Sequence, residues 1–216
     1  MNKLNVLVAA DLFRGLGIQD ILSVINSLHA SMSSYNDGDV LIGLGRPVEC
    51  AGIILNGVIQ AKTAIGDVGA EYGESGMFAE DFAGAKLGAS PISFVAVGSC
   101  TVLWIDPVKL VAAYDNPHHA TLTNNLFSIL SKKSIVRGEY IDILSKRTTR
   151  ERIMEYLEKI AAEQGSRRVR IPLSRVGLAE YICVDRSAMT RELSKMQKEG
   201  VLKFNKNEFE LPVRRR

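Results

Sequence analysis

The side chains best equipped for chemistry in this chain fall within one short stretch. Arg186, Ser187, Thr190, Arg191 and Lys195 share one polar face if the stretch is helical. A guanidinium on such a face can pair bidentately with the O6 and N7 of guanine, and a hydroxyl can reach a base edge or a phosphate. Met189, Leu193 and Met196, spaced by four and three, give the same helix an apolar face. Arg186, Ser187, Thr190 and Arg191 stand near its start, the end that a recognition helix presents to base edges. Lys195 lies further along, where a phosphate is the expected contact.

The surrounding residues are those needed to aim this helix. Asp185 can cap it, and its charge suits the positive helix N-terminus. Before it, Ser174 can cap a shorter helix with Leu178, Ala179 and Ile182 on its apolar side. Cys183-Val184-Asp185 makes a tight break between the two, with cysteine where such turns often carry glycine. Ala179 is small, as two helices crossing near a tight turn require. After Gly200, Val201, Leu202 and Phe204 lead into Asn205-Lys206-Asn207, then Phe209 and Leu211: a hairpin lying beside the helices as a wing. Ser174 and Lys206 join the DNA-binding candidates, Lys206 at a turn suited to a phosphate backbone. The plainer reading of residues 171–211 is a helical hairpin with a solvated basic face.

Charge distribution favours the first reading. Residues 1–115 hold 6 Lys and Arg against 12 Asp and Glu, a net −6. Residues 146–216 hold 18 against 10, a net +8. A basic C-terminal module on an acidic N-terminal one implies that only the former meets a polyanion. The last three arginines read as a tail and are discounted.

The remainder divides into two further parts. Residues 1–35 carry apolar residues at helical spacing. From Asn36 to Asp106 short apolar runs alternate with turn signals at Asn36-Asp37-Gly38, Asn56-Gly57 and Ile65-Gly66-Asp67, which predicts an antiparallel barrel or sandwich. Asn56-Gly57 between apolar runs predicts a hairpin. In residues 117–146, Leu122, Leu126, Ile129, Lys133, Val136, Tyr140 and Ile143 follow intervals of four and three over three heptads. This seam, Lys133 being its one poor member, suits an identical helix. A second stripe of Phe127, Leu130, Ile141 and Leu144 suits packing on the chain's own barrel. Thr148 and Glu151 have capping-box spacing, so a new helix starts there and residues 145–149 read as a hinge. The domains expected are a sensing barrel at 1–116, a dimerisation helix at 117–146 and a winged helix-turn-helix at 147–216.

Several functions are disfavoured. Enzymatic metal chemistry in a barrel needs histidines and carboxylates converging there, and residues 36–106 contain no histidine. Cys50, Cys100 and Cys183 are too few and too scattered for a cluster or a disulfide framework. Cys100 reads as a core thiol and Cys183 as buried. His118-His119 reads as a solvated helix start, so no cofactor is expected. No apolar run approaches a membrane span, and the first residues lack a secretory pattern, which together point to the cytoplasm.

The order of parts, and above all the stretch LAEYICVDRSAMTRELSKMQKEGVL, resembles the cyclic-AMP receptor protein and fumarate-nitrate regulator family (Crp/Fnr), especially its clostridial-type members. The resemblance implies an α+β fold: an N-terminal antiparallel β-barrel of the cyclic-nucleotide-binding type (a double-stranded β-helix), a long dimerisation helix and a C-terminal winged helix-turn-helix. It implies a bacterial transcription regulator, a homodimer on a palindromic site in double-stranded DNA, with base contacts falling on Arg186, Ser187 and Arg191. Two recognition helices in successive major grooves stand about 34–36 Å apart. Activation would further require an RNA polymerase contact, which no residue pattern locates. Members that bind cyclic AMP carry a Phe-Gly-Glu motif and then an Arg-Ser pair. Here the stretch reads MFAEDFAGAKLGASPISFVA: Phe78 and Glu80 remain, Ala79 replaces glycine, and the arginine is absent, with Lys86 the nearby cation. A buried phosphate without a matched cation is costly, so cyclic AMP is disfavoured and another small-molecule effector is expected. Its candidate pocket, by resemblance, is Phe78, Glu80, Ile92 and Ser93 from the barrel with Asn124, Asn125 and Ser128 from the long helix. The alternative is a small-molecule-binding or protein-interaction module without specific DNA recognition.

Overall fold

The computed structural model describes residues 3–63 and 68–212. The Ile65-Gly66-Asp67 turn signal and the three terminal arginines lie outside the described residues. The chain forms two compact units, Met1–Lys133 and Ser134–Arg216.

The first unit opens with α1 (Lys3–Ala9), a 3-10 turn (Asp11–Phe13) and α2 (Ile18–Ser27). Val6, Leu7, Leu12, Phe13, Ile21 and Val24 from these elements are buried together. Six strands follow: β1 (Ser31–Tyr35), β2 (Val40–Ile42), β3 (Ala51–Lys62), β4 (Val68–Tyr72), β5 (Met77–Phe78) and β6 (Ser93–Ile105). They form one antiparallel sheet ordered β1-β6-β3-β4, with β2 also on β6 and β5 also on β3. The short helix α3 (Glu80–Gly84) follows β5, and α4 (Pro107–Ala112) follows β6, capped by the Asp106 carboxylate, which accepts from the amides of Val108 and Lys109.

Asn56-Gly57 is not a hairpin turn. The runs on either side of it are one strand, β3, and the runs at 92–97 and 101–105 are one strand, β6. The two pair along their length, and the register shifts on both sides of Asn56. Gly57 takes φ +90°, and Asn56 Nδ2 donates to Ser99 O at 2.9 Å. A bulge and a type I′ turn both call for positive φ, so the same dipeptide serves either. Alternation along β3 and β6 feeds two cores, and the bulge lets the odd-numbered Ile59 share a core with the even-numbered Ile54. Ile53, Leu55, Leu103 and Ile105 pack with the N-terminal helices, whereas Ile54, Ile59, Phe94, Ala96 and Val102 form a second cluster with Phe78.

The long helix α5 (His119–Ser145) is present, and Leu130 packs inward as expected, but most of the predicted dimer seam is used within the chain itself. Leu122, Leu126 and Ile129 are buried in the core of the first unit, and Ile143 is buried in that of the second. These four members of the predicted dimer seam are therefore unavailable to a second chain. Of the remaining two, Tyr140 packs its ring 5.0 Å from that of Tyr181, and Val136 is exposed. Phe127 and Ile141, expected to face inward, are 71% and 64% exposed. Lys133, on the same stripe, also turns inward, its ammonium beside the Glu80 carboxylate.

The second unit adds α6 (Thr149–Gln164), β7 (Arg168–Arg170), α7 (Arg175–Tyr181), α8 (Arg186–Lys198), β8 (Lys203–Asn205) and β9 (Glu208–Glu210). The Thr148–Glu151 capping box forms as its spacing predicts. The three strands make a sheet ordered β7-β9-β8, the hairpin β8–β9 being the wing. Residues 145–149, expected as a hinge, lie inside this unit. Antiparallel sheet, long helix and C-terminal helix-turn-helix together give the α+β architecture that the sequence predicts.

Gly57→Ala places a Cβ 2.6 Å from Cys100 Sγ and 2.7 Å from Ser99 O on a backbone already at positive φ. It is expected to destabilise the first unit by about 1–3 kcal/mol. Urea unfolding followed by the fluorescence of the single tryptophan, Trp104, checks this; a shift below about 0.5 kcal/mol, the range of a neutral surface change, would contradict it.

Candidate nucleic-acid interface and effector site

Helix α8 is held by its first turn. The Asp185 carboxylate accepts from Ala188 N at 2.8 Å and from the Ser187 hydroxyl at 2.5 Å. With these bonds, and with Arg191 nearby, the Asp185 carboxyl lies below the usual carboxylate range. Met189, Leu193 and Met196 are buried, as their spacing predicts. Arg186, Ser187, Thr190, Arg191 and Lys195 are all exposed on the other side. Thr190 donates its hydroxyl to Arg186 O at 2.8 Å, and the Ser187 hydroxyl is engaged with Asp185, so the two guanidinium groups are the freer donors of the face.

The break before α8 is a left-handed turn made without glycine. Cys183 has φ +52°, its amide donates to Glu180 O, and Val184 N donates to Ala179 O. Cys183, expected to be buried, is exposed: a side chain at left-handed φ in a three-residue connection points away from the core that Ile182 enters. Cys100 is buried, its thiol 3.2 Å from Val58 O.

Ser174 caps α7, its oxygen accepting from Gly177 N at 3.1 Å, and it remains exposed with a hydroxyl hydrogen to donate. Lys206 is exposed at the wing tip with φ +50°. Its carbonyl accepts from Arg175 Nη2 at 2.6 Å. Arg175 lies over the rings of Phe204 and Phe209, at 4.6 and 4.8 Å, and burial lowers its pKa. The sequence reading missed Arg175 as the side chain that fixes the wing tip to α7. Its signal was an arginine just after a cap, two elements before a pair of phenylalanines.

The seven effector candidates are not brought together. Phe78 is wholly buried, with Phe94 5.1 Å and Trp104 5.5 Å away between ring centroids. A Cβ on Gly52 would stand 2.3 Å from the Phe78 ring, so that glycine is what admits the ring. Aromatic side chains thus fill the space around Phe78. Asn125 spends its amide on the carbonyls of Leu12 and Arg14, both at 2.9 Å, and holds the 3-10 turn instead of a ligand. Asn124 is exposed, whereas Ile92, Ser93 and Ser128 are half-buried.

Glu80 is wholly buried, and the cation beside it is Lys133, not Lys86. Lys133 Nζ lies 2.5 Å from Glu80 Oε1, donates to Met77 O at 2.7 Å and sits 5.0 Å from the centre of the Tyr72 ring. The carboxylate contact rests on charge more than on hydrogen-bond alignment, and neither Glu80 oxygen has a well-aligned donor among the described residues. A cavity of about 410 Å³ lies on the Lys133 side, lined also by Tyr72, Ser75, Met77 and Ile129. Another of about 590 Å³, lined by Glu80, Val108, Val111, Leu126 and Leu130, lies on the carboxylate side. Among the described residues no three His, Cys, Asp or Glu side chains converge to hold a metal.

Lys133→Met leaves Glu80 buried without its cation and is expected to cost the first unit about 3–5 kcal/mol. Adding Glu80→Gln should restore most of that loss in urea unfolding read by Trp104. Failure of the double variant to recover would mean that the pair is not what stabilises this site.

Among curated proteins no sequence matches this chain. Solved structures match over most of its length. One is the catabolite activator protein of Thermus thermophilus, 20% identical over 94% of each chain, with a TM-score of 0.56. Another is CprK in complex with OCPA, 16% identical over 87% of this chain and 88% of that one, with a TM-score of 0.64. A third is the c-di-GMP-responsive global regulator CLP of Xanthomonas campestris, 16% identical over 91% of this chain and 98% of that one, with a TM-score of 0.59. The model of the Crp-like helix-turn-helix domain matches residues 151–216. Residues 151–216 are thus similar to the Crp-like helix-turn-helix domain, and the chain as a whole shares its fold with these solved structures.

Proposed function

We propose that this chain is a sequence-specific transcription regulator of the cytoplasm, acting as a homodimer on a palindromic operator under the control of a small molecule other than cyclic AMP. The observation that carries the reading is the α8 face. Arg186 and Arg191 stand exposed in the first two turns of a helix that Asp185 caps and a tight turn aims, inside a Crp-like helix-turn-helix domain. Arg186 and Arg191 read bases, with Ser187 and Thr190 beside them. Lys195, Ser174 and Lys206 meet phosphates.

The dimer face is the side of α5 that the chain itself leaves open. Phe127, Ser131, Ser134, Gly138 and Ile141 follow intervals of four, three, four and three, with Ile135 and Val136 exposed beside them. Small residues between large apolar ones suit close approach of a second helix. The effector occupies the cavity beside Lys133, whose charge faces both Glu80 and the opening. This reading is supported by the filled aromatic space around Phe78 and by the missing cassette arginine.

Selection from random duplexes is expected to enrich a palindrome. Arg186→Ala and Arg191→Ala should each cost about 1–3 kcal/mol on that site and relax the preference at one base, whereas Lys206→Ala should weaken all sequences alike and lower the salt slope by about one. No enriched palindrome would end the proposal. Separately, Phe127→Glu with Ile141→Glu should convert a sedimenting dimer to a monomer; if the double variant sediments as the wild type does, the face is elsewhere.

A further inference from the structure

Arg152 stands in the first turn of α6, and its guanidinium reaches two helix ends at once. Nε donates to Lys146 O at 3.0 Å. Nη1 donates to Ile182 O at 3.1 Å and to Cys183 O at 3.2 Å. Lys146 directly follows α5, and Ile182 and Cys183 directly follow α7. Lys146 and Ile182 stand where a helix leaves carbonyls without an amide partner, at the end where its dipole favours a cation, and Cys183 is the next residue of the turn. The planar fork of arginine can serve divergent acceptors from one side chain; a lysine ammonium offers a single point.

The same two ends meet a second time. The Tyr140 hydroxyl lies 3.6 Å from Cys183 Sγ, and its ring packs on Tyr181, which also packs on Tyr156 at 5.2 Å. Burial, and then the Cys183 contact, raise the Tyr140 pKa to about 12, so it keeps its proton in this position. Ile143 is buried in one cluster with Leu178 and Ile182. The turn so gripped holds a non-glycine residue at positive φ, a conformation that persists only when its surroundings fix it.

We infer that Arg152 is a positioning residue for DNA reading: it joins the C-terminal end of α5 to the turn that aims α8, so the angle of α5 is passed to Arg186 and Arg191. The inference rests on α8 being the DNA-reading helix. Arg152 itself touches no DNA in this scheme.

The experiment compares full-length Arg152→Ala and Arg152→Lys with Arg167→Ala. Arg167 bonds Glu158 and Pro212 O, away from the turn, and serves as a control for general loosening of the unit. Two quantities are read: the ratio of affinities for the selected operator and a random duplex, and amide exchange at residues 146–149 and 182–186. Loss of charged hydrogen bonds at the turn should lower the ratio about tenfold or more in Arg152→Ala, with random-duplex affinity and salt slope unchanged. Exchange should rise in both segments, Arg152→Lys should fall between, and Arg167→Ala should keep the wild-type ratio. A ratio within about twofold of wild type in Arg152→Ala, or an equal fall in Arg167→Ala, overturns the inference. If the wild type shows no operator preference, the regulator reading fails instead. Unchanged exchange in either segment then still refutes the joining of the two ends.

Discussion

The second unit is organised by the need to satisfy helix ends within a very short span of chain. Between Tyr181 and Arg186 one helix must stop and another must start. Every backbone group freed there requires a partner. The chain supplies them from three directions: amides from the turn itself, the Asp185 carboxylate for the start of α8, and the Arg152 guanidinium for the end of α7. Those bonds hold the turn and, through it, the start of α8. Arg150 adds to this by pairing with Glu192 and Glu199 along α8 itself, at 2.6 and 2.7 Å.

How much of this could be read from the residues depended on whether the interaction was local. Caps were legible. Ser174, Asp185 and the Thr148–Glu151 box act within three residues of their own position, and each forms. The buried face of α8 was legible for the same reason. Arg152 and Arg175 were not, because an arginine in a sequence does not say which distant carbonyl or ring it will meet. Cys183 shows the limit within a local motif: the sequence placed the turn correctly, but whether the thiol enters the core depended on the sign of φ.

The first unit shows how a periodic pattern can be right while its destination is wrong. The stripe through Leu122, Leu126 and Ile129 is real, and so is the one containing Phe127 and Ile141. Periodicity reports that a face exists, without naming what covers it. What covers the first stripe comes from far along the chain: the N-terminal helices, β3 and β6 around its leucines, and Glu80 beside Lys133. Asn56-Gly57 is a parallel instance: the dipeptide announces positive φ, and only the partner strand determines whether the chain turns back or carries on through a bulge.

The long β3–β6 pairing also bears on how the chain comes to be folded. Ala51 faces Ile105 and Lys62 faces Ser93, so the pair closes a loop containing β4, β5 and α3 before its hydrogen bonds are gained. Both cores of the first unit draw on these two strands. The second unit is built mostly from helices next to one another in the chain and a hairpin turned at Lys206, with the three-residue β7–β9 ladder as its distant strand pairing. Contacts close in sequence form faster than contacts far apart. The two halves are thus set to mature at different speeds, the N-terminal one more slowly although it leaves the ribosome first. While it matures, the unpaired edges of β3 and β6 are the surfaces most in need of protection from other chains.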